Sequence, residues 1–298
     1  MPAFVMNRTL LAAPALLAAA LAVPAMGDSF TDFESFTPNT SVDGQGGWSA
    51  TGPYDQEVVD DGTGNLALRI SNAVTNGSFG DMPIGPRPGG IVTDTIGDPV
   101  NSNPGAFAGE SSTGATYTSF VGSFRFRSAT GGQQVGASVT VSADNGTGGR
   151  HGFIDIEESA VNGAGIDLIT FDVDANGNFV NQHAIAAGLS YTEWHEFRLE
   201  IDFNEGSNND VARYYVNGVL VNTDTSWENY YETFEAASHP NGVPVQTFLF
   251  RVSGLAAPGL AGGGFLFDDV SVSLTPEPGS MAILGLGGLL VARRRRQA

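Results

Sequence analysis

The chain contains no cysteine and no lysine, so all 13 of its basic residues are arginine. The absence of cysteine excludes a disulfide framework, a thiolate metal site and a cysteine nucleophile. With 298 residues and 32 acidic side chains, the protein has a formal net charge of −19. A domain of this composition must depend for its stability on its hydrophobic core or on a bound metal ion.

The basic residues are concentrated near the two ends of the chain. Residues 28–275 keep only 8 of the arginines against 31 acidic residues, which gives this region a net charge of −23. Nucleic acids and anionic lipids need a cationic protein surface. The composition therefore excludes both as partners of this region, and it disfavours strongly anionic glycans.

Residues 1–27 have the layout of a secretory signal peptide. A positive region ends near Arg8, residues 10–23 are apolar, and small residues stand at Ala25 and Gly27, where a signal peptidase would cleave. This pattern predicts the Sec export machinery and signal peptidase as partners. The alternative is a helix that is retained as a membrane anchor.

The other end combines a short apolar segment with a basic terminus. Residues 281–292 would form a helix of about 18 Å at about 1.5 Å per residue, whereas the hydrocarbon core of a bilayer is about 30 Å thick. The segment predicts a transient transmembrane insertion rather than a permanent anchor. Because arginine clusters stay in the cytoplasm, the acidic middle region is expected on the outside.

The order of these C-terminal features resembles the PEP-CTERM sorting tail of Gram-negative bacteria that produce exopolysaccharide. The resemblance covers residues 276–298 and is carried by the following residues: Pro276, Glu277, Pro278, then after the apolar segment Arg293, Arg294, Arg295 and Arg296. It implies recognition by the membrane enzyme exosortase. It also implies export to the cell surface or extracellular matrix after transient anchoring in the inner membrane.

Residues 28–275 show the period-two alternation of β-strands and no sustained helical stripe. In residues 197–203, apolar and charged side chains alternate strictly. Asn176-Gly177 and Asn217-Gly218 are two-residue hairpin signals. A dozen or so such strands predict one all-β domain, built as an antiparallel two-sheet sandwich.

Two segments sharpen this fold prediction. Trp194-His195-Glu196-Phe197 and Tyr214-Tyr215-Val216-Asn217-Gly218 resemble the "WHxF … YYVNG" strand pair of concanavalin A-like jelly rolls. Laminin-G-like domains, legume-type lectins and laminarinase-type glycanases share that fold. The resemblance implies a jelly roll over residues 28–275, with the predicted signal helix and short C-terminal hydrophobic helix on either side.

Laminarinase-type enzymes carry a nucleophile and a general acid/base on one strand, spaced as E-x-D-x-x-E or E-x-D-x-E. Glu200 to Glu205 match this spacing but lie in the "WHxF" strand, where they are expected to form only its polar face. The strand in the family's position places Asp155 and Glu157 on one face, with Phe153 where the nucleophile would stand. Without that carboxylate, the family's covalent route is closed, so Asp155 and Glu157 are weak catalytic candidates.

Two carboxylates are expected in the apolar rows of the first and last strands. Asp268 is predicted to share a face with Leu266, Val270 and Val272, and Glu34 with Phe30 and Phe36. A charge in an apolar row is costly unless it is paired. Glu34 and Asp268, with Asp269 or Asp32, are therefore candidate ligands of a structural calcium ion between the two strands; the alternative is a β-bulge that turns them to solvent.

An aromatic and acidic segment after the Asn217-Gly218 hairpin is the candidate ligand-binding element. Trp227, Tyr230 and Tyr231 suit sugars, whose C–H faces stack on aromatic rings. The alternative is that Trp227 and Phe234 cap the core. The Gly- and Pro-rich residues 72–116 are expected to form loops over the concave face or a linker.

These observations predict an exported, surface or matrix protein that binds carbohydrate or another matrix polymer without chemistry. Two alternatives remain open: a glycoside hydrolase or polysaccharide lyase of the laminarinase-like type, and a structural matrix protein without a ligand.

Overall fold

The structure is a computed structural model that describes residues 28–50, 54–75, 83–86, 117–144, 146, 150–158, 165–204, 209–230, 233–234, 245–252 and 255–276. The predicted signal helix and C-terminal hydrophobic helix lie outside these residues, as does most of the region 72–116. Within the described ranges, no helix has the length and apolar character needed to cross a membrane.

The larger sheet contains eight antiparallel strands. Along it run β11, β10, β9, β4, β13, β3 and β2, and β1 pairs with the second half of β13. The bounds of these strands are β1 Asp28–Thr31, β2 Gln56–Asp60, β3 Leu66–Ile70, β4 Tyr117–Ser128, β9 His195–Asp202, β10 Val211–Val216, β11 Val219–Asp224 and β13 Phe265–Pro276.

The smaller sheet contains five antiparallel strands in the order β12, β5, β6, β7, β8. Their bounds are β5 Ser138–Asp144, β6 Arg150–Glu158, β7 Ile166–Val173, β8 Phe179–Leu189 and β12 Thr247–Arg251. A helical turn, α1 (Glu228–Tyr230), and a 3-10 turn (Pro258–Leu260) lie in the connections. The chain passes between the sheets after β4, β8, β11 and β12, and this confirms the predicted two-sheet jelly roll.

The alternation read from the sequence decides which side chains enter the core. In β9, Phe197, Leu199 and Ile201 are buried between the sheets. In β6, Ile154 and Ile156 are also buried between the sheets. The intervening residues of β6 therefore face outward from the smaller sheet.

Both predicted hairpins are present. Asn217 and Gly218 have φ angles of 50° and 77° and join β10 to β11, as the type I′ turn requires. Gly177 has a φ angle of 77° in the turn between β7 and β8, where an added Cβ would press on residues 229 and 233. Glycine at this turn thus also permits close contact with the segment that contains α1.

A cluster of phenylalanine rings joins the two sheets. Phe124 of β4 is 1% exposed and its ring centroid lies 5.3 to 6.2 Å from five others, which belong to Phe126, Phe197, Phe248, Phe250 and Phe267. Two of these five rings come from β12 in the opposite sheet. Phe124 is therefore the aromatic centre of the contact between the sheets.

The last strand differs from its predicted alternation. Asp268 pairs with Arg125 but Ser271 pairs with Ser123, so one extra residue is inserted, and Asp269 has a φ angle of 49°. Phe265 and Phe267 face the core before this β-bulge, and Val270, Val272 and Leu274 face it afterwards. The expectation that Leu266 shares a face with Val270 was wrong, because a bulge reverses the parity of the strand.

The first strand also differs from expectation. β1 ends at Thr31, and Glu34 is an exposed residue of the turn that follows. Phe30 is 64% exposed, whereas Phe33 is fully buried. Glu34 therefore does not lie in an apolar row with Phe30, although the expected pairing of the first and last strands is present.

We expect Phe124→Ala to lower the free energy of unfolding by about 3–5 kcal/mol, because it leaves a cavity in the aromatic contact between the sheets. The control is Phe30→Ala, the same substitution at an exposed position, with an expected change within about 0.5 kcal/mol. Urea unfolding measures both. Equal effects would contradict the central role of Phe124.

Candidate functional site

A cleft of about 230 Å³ opens on the outward face of the smaller sheet. Its lining combines aromatic rings, hydroxyl groups, one carboxyl group and two guanidinium groups. These belong to Phe153, Phe171, Phe179, Trp227, Thr140, Ser142, Asp155, Arg150 and Arg251. A pocket of this size is smaller than the roughly 300–1,000 Å³ that holds a drug-sized ligand.

Aromatic rings form one side of the cleft. Phe153 of β6 stacks on Phe171 of β7, with ring centroids 5.6 Å apart and an angle of 11° between the planes. The Trp227 ring meets Phe153 edge-on at 4.5 Å and Phe179 at 4.6 Å. Tyr230 stacks on Phe179 at 4.9 Å. The rings support one another, so the apolar surface offered to a ligand is held in place.

Polar groups form a row across the sheet beside these rings. Arg251 pairs in register with Thr140, and Thr140 pairs with Asp155. Ser138 Oγ donates a hydrogen bond of 2.9 Å to Asp155 Oδ1. Ser142 lies two residues along β5 from Thr140, on the same face. A ligand above β5 therefore meets hydroxyl donors and acceptors next to an aromatic surface.

Two carboxyl groups of β6 are held toward their protonated forms. Burial raises the pKa of Asp155, and the hydrogen bond from Ser138 opposes this shift. Burial also raises the pKa of Glu157, and the neighbouring charges of Asp155 and Asp167 raise it further. Both side chains lie on the face that carries Phe153. Asp155 lines the cleft itself, whereas Glu157 lies outside its lining.

The segment that carries Trp227 is anchored by polar contacts. Ser226 Oγ donates a 2.6 Å hydrogen bond to Asp210 Oδ2, and Trp227 Nε1 donates to the Phe171 carbonyl at 3.1 Å. Trp227 is only 2% exposed, so it packs against the buried side of the ring cluster. Tyr230 is half-buried and lies nearer the surface.

The structure agrees only in part with the alternative prediction, in which Trp227 and Phe234 cap the core. Trp227 is buried as a capping residue would be, but Phe234 is 52% exposed. Tyr231, the third predicted ligand residue, lies outside the described residues.

The second carboxylate motif lies far from the cleft. Glu200 and Asp202 of β9 are on the outer face of the larger sheet, where Arg198 pairs with Glu200 at 2.8 Å and Arg213 with Asp202 at 2.7 Å. This is the polar strand face that the sequence predicts for them. Glu205 lies outside the described residues.

Two of the four candidate calcium ligands, Glu34 and Asp268, converge on one short segment. Glu34 Oε1 accepts the Leu66 N–H at 2.9 Å, and Asp268 Oδ2 accepts the Asn65 side-chain amide at 3.0 Å. Asp269 instead forms an ion pair of 3.2 Å with Arg125. Across the part of the chain that the structure describes, no three His, Cys, Asp or Glu residues are grouped to hold a metal ion.

Asp268 is buried, with an exposure of 3%. The alternative predicts a bulge that turns this side chain to solvent, and the bulge that follows Asp268 does not do so. Burial raises its pKa, and the hydrogen bond from Asn65 opposes the shift. Calcium ligation here remains a prediction.

Sequence reasoning missed the polar half of the cleft. Thr140 and Ser142 alternate with Val139 and Val141 in β5, which is the signal of a strand with one polar face. Arg251 is the only charged residue of β12. Periodicity identifies these outward positions, but it does not show that they meet β6 at one cleft.

Comparison with known proteins identifies the C-terminal tail. Residues 274–296 match the PEP-CTERM protein-sorting motif. The chain therefore carries a sorting signal of exported Gram-negative proteins, and the motif implies sorting to the cell surface by exosortase. No curated protein matches the chain significantly.

Several solved structures resemble the domain at low identity. An endo-1,3-β-glucanase from Streptomyces sioyaensis has 18% identity and a TM-score of 0.40, with 89% of this chain and 100% of that chain covered. An alginate lyase from Pseudomonas aeruginosa has 10% identity and a TM-score of 0.42, with 76% of this chain and 87% of that chain covered. A Crh5 transglycosylase in complex with NAG has 10% identity and a TM-score of 0.42, with 84% of each chain covered. At these TM-scores the likenesses do not support conclusions about chemistry, and the fold assignment depends on the strand order itself.

We expect the free energy of unfolding to fall as the pH rises from about 4 to 6. Burial raises the pKa of Asp210 from 3.8 to about 6 in the folded protein. The folded state therefore binds more protons than the unfolded state in this window, and stability is lost as the pH passes the folded pKa. Asp210→Asn should reduce this fall by about 1–3 kcal/mol.

Urea unfolding at pH 4, 5, 6 and 7 measures the slope for both proteins. The variant retains Asp224, whose pKa burial and a hydrogen bond with Asp172 raise to about 6, so part of the slope should remain. An unchanged slope in Asp210→Asn would contradict the assignment.

Proposed function

We propose that the protein is an exported surface or matrix protein whose jelly roll binds a carbohydrate polymer without chemical change. The observation that carries the proposal is the cleft on the smaller sheet. It places the stacked rings of Phe153 and Phe171 next to the hydroxyl groups of Thr140 and Ser142 and the carboxyl group of Asp155. Sugars are recognised by this combination of apolar surface and polar groups.

The proposal includes a route of export for the chain. A signal peptide over residues 1–27, cleaved by signal peptidase after passage through the Sec machinery, would bring the chain to the exosortase that its tail implies. The short apolar segment would hold the tail in the inner membrane during sorting. The domain would then meet extracellular polysaccharide at the cell surface.

A glycoside hydrolase or lyase is favoured by one observation. The raised pKa values of Asp155 and Glu157 are a property of catalytic acids. A retaining mechanism also needs an ionised nucleophile about 5–5.5 Å from the acid. The position expected for it holds Phe153, whose ring packs against Phe171 and Trp227. Binding without chemistry is therefore the function proposed here.

We expect Phe153→Ala to weaken polysaccharide binding at least about tenfold, equivalent to about 1.4 kcal/mol, because it removes the stacking surface. Binding is found on a polysaccharide array with the full chain and then measured by calorimetry. Phe30→Ala, on the other sheet, is the matched control and should bind like the wild type. Thermal unfolding of both variants separates lost binding from lost fold.

Two results would replace the proposal. Release of reducing ends that Glu157→Gln abolishes would establish the enzyme alternative, a glycoside hydrolase or polysaccharide lyase. If the protein binds no polysaccharide at all, the alternative of a structural matrix protein without a ligand would apply.

We further propose that calcium stabilises the junction of β1, β3 and β13 through Glu34 and Asp268, which both reach the segment Asn65–Leu66. A ligand present at about 100 times its Kd adds about 2.7 kcal/mol. For a domain of this size that corresponds to about 5–10 °C in Tm. EGTA should therefore lower Tm by this amount.

Asp268→Asn should make Tm insensitive to calcium, whereas Glu196→Gln, an exposed carboxylate on β9, should retain the response. An unchanged Tm on adding EGTA to the wild-type protein would exclude the calcium site.

A further inference from the structure

We propose that the site binds several consecutive units of an extended, neutral polysaccharide chain, and that this chain continues from the cleft onto a shelf of aromatic rings. The aromatic shelf consists of Phe179, Tyr230 and Phe234. The inference rests on the proposed carbohydrate-binding function and specifies its ligand. Its basis is a row of rings that starts in the cleft and runs beyond it.

The rings of this row follow one another without a gap. Phe153, Phe171 and Phe179 line the cleft, whereas Tyr230 and Phe234 lie outside its lining. In this order, the centroids of successive rings are 5.6, 6.0, 4.9 and 5.3 Å apart. The apolar surface is therefore continuous from the cleft to Phe234.

The row crosses the strands of the smaller sheet. Its first three rings come from β6, β7 and β8, which are neighbours in the sheet. Thr140 and Ser142 of β5 line the other side of the cleft. At about 4.8 Å per strand, β5 to β8 span about 14 Å, and the shelf extends the surface further. A sugar ring is about as wide as a phenyl ring, so the surface accommodates several units.

Two rings of the shelf are open to solvent. Phe179 is 44% exposed and Phe234 is 52% exposed. Among the phenylalanine side chains that the structure describes, one other is exposed, Phe30 on the larger sheet. Large apolar side chains that are grouped at a surface mark a binding site. Here they adjoin a cleft that already combines rings with hydroxyl groups.

Contacts within the protein hold the shelf in place. Asn229 Nδ2 donates a 3.3 Å hydrogen bond to the carbonyl oxygen of Asp174, in the turn between β7 and β8. Asp174 Oδ1 closes that turn, because it accepts the N–H groups of Asn176 and Asn178 at 2.9 Å. An added Cβ at Gly177 would lie 2.8 Å from the Asn229 carbonyl oxygen. The two segments that carry the shelf are thus packed closely, and a preorganised surface loses little entropy on binding.

Polar side chains border the rings. Gln182 of β8 pairs in register with Phe171, so both side chains lie on the same face of the sheet. Thr233 directly precedes Phe234, and Gln182 and Thr233 are both exposed. An amide and a hydroxyl group donate and accept hydrogen bonds. Sugar hydroxyl groups above the rings therefore have polar partners, which a purely apolar docking surface would not offer.

An extended, neutral chain fits this surface. A β-1,4-linked chain of pyranose rings is extended and presents C–H faces along its length, whereas an α-1,4-linked chain coils. A row that crosses neighbouring strands at nearly constant spacing matches the extended form. The net charge of −23 on residues 28–275 disfavours strongly anionic chains.

The test compares oligosaccharides of two lengths by calorimetry on the full chain. The probes are β-1,4-linked dimers and hexamers of glucose, xylose and mannose. A hexamer offers one register for each dimer it contains, which alone makes its binding up to about fivefold tighter. We expect the best hexamer to bind at least about twentyfold more tightly than its dimer, because its additional units contact the aromatic shelf.

Phe234→Ala should reduce the ratio of the two affinities to about fivefold or less, the value that registers alone give. Phe30→Ala, the same substitution at an exposed position of the larger sheet, is the matched control and should keep the wild-type ratio. Thermal unfolding shows whether both variants are folded. A wild-type ratio in folded Phe234→Ala would overturn the role of the shelf.

The outcomes separate this inference from the proposed function. Equal affinities for dimer and hexamer, both weakened by Phe153→Ala, would overturn the extended site and retain carbohydrate binding in the cleft. Maltohexaose, an α-1,4-linked hexamer, would overturn the extended chain if it bound as tightly as the best β-linked hexamer. Binding of no β-linked probe, with another polysaccharide retained on the array, would overturn the inference alone. Retention of no polysaccharide would overturn both.

A second copy of the chain is the competing occupant of the shelf. Sedimentation of the ligand-free protein at several concentrations measures self-association. The proposal predicts a monomer, or an oligomer that Phe234→Ala does not change. Self-association that Phe234→Ala abolishes would assign the shelf to a protein interface and overturn the proposal.

Discussion

Aromatic packing between the two sheets is the contact on which the rest of this structure depends. The chain has no cysteine, so no disulfide fixes one sheet to the other. Phe124 meets Phe248 and Phe250 of β12 across the interior. Because side chains alternate along a strand, seating these two rings in the core sends Arg251 to the opposite face. In the same way, burial of Ile154 and Ile156 sends Phe153 and Asp155 into the cleft.

The arginines that the structure describes are found on both sheets. On the larger sheet, five of them form ion pairs with carboxylates: Arg69, Arg125, Arg127, Arg198 and Arg213. The exposed pairs among them, such as that of Arg125 with Asp269, add little stability individually. Arg150 and Arg251 line the cleft on the smaller sheet, together with aromatic and hydroxyl-bearing residues.

The sorting motif and the cleft lie in separate parts of this chain. The PEP-CTERM motif occupies residues 274–296 and overlaps the domain only at the end of β13. The cleft is built from β5, β6, β7, β8 and β12 and from Trp227, which directly precedes α1. Phe153 of β6 is part of the aromatic surface of this cleft.

The sequence by itself determined most of the strands, the two Asn-Gly hairpins and the sorting tail, because alternation, turn chemistry and a contiguous motif are local properties. It predicted Asp155 and Trp227 as residues of interest but did not place them together. Only the tertiary structure showed that Asp268 precedes a bulge, since one inserted residue reverses parity without a change in composition. Only the tertiary structure brought Arg251 from β12 beside Thr140 and Asp155, because pairing between strands more than 90 residues apart depends on packing between the sheets.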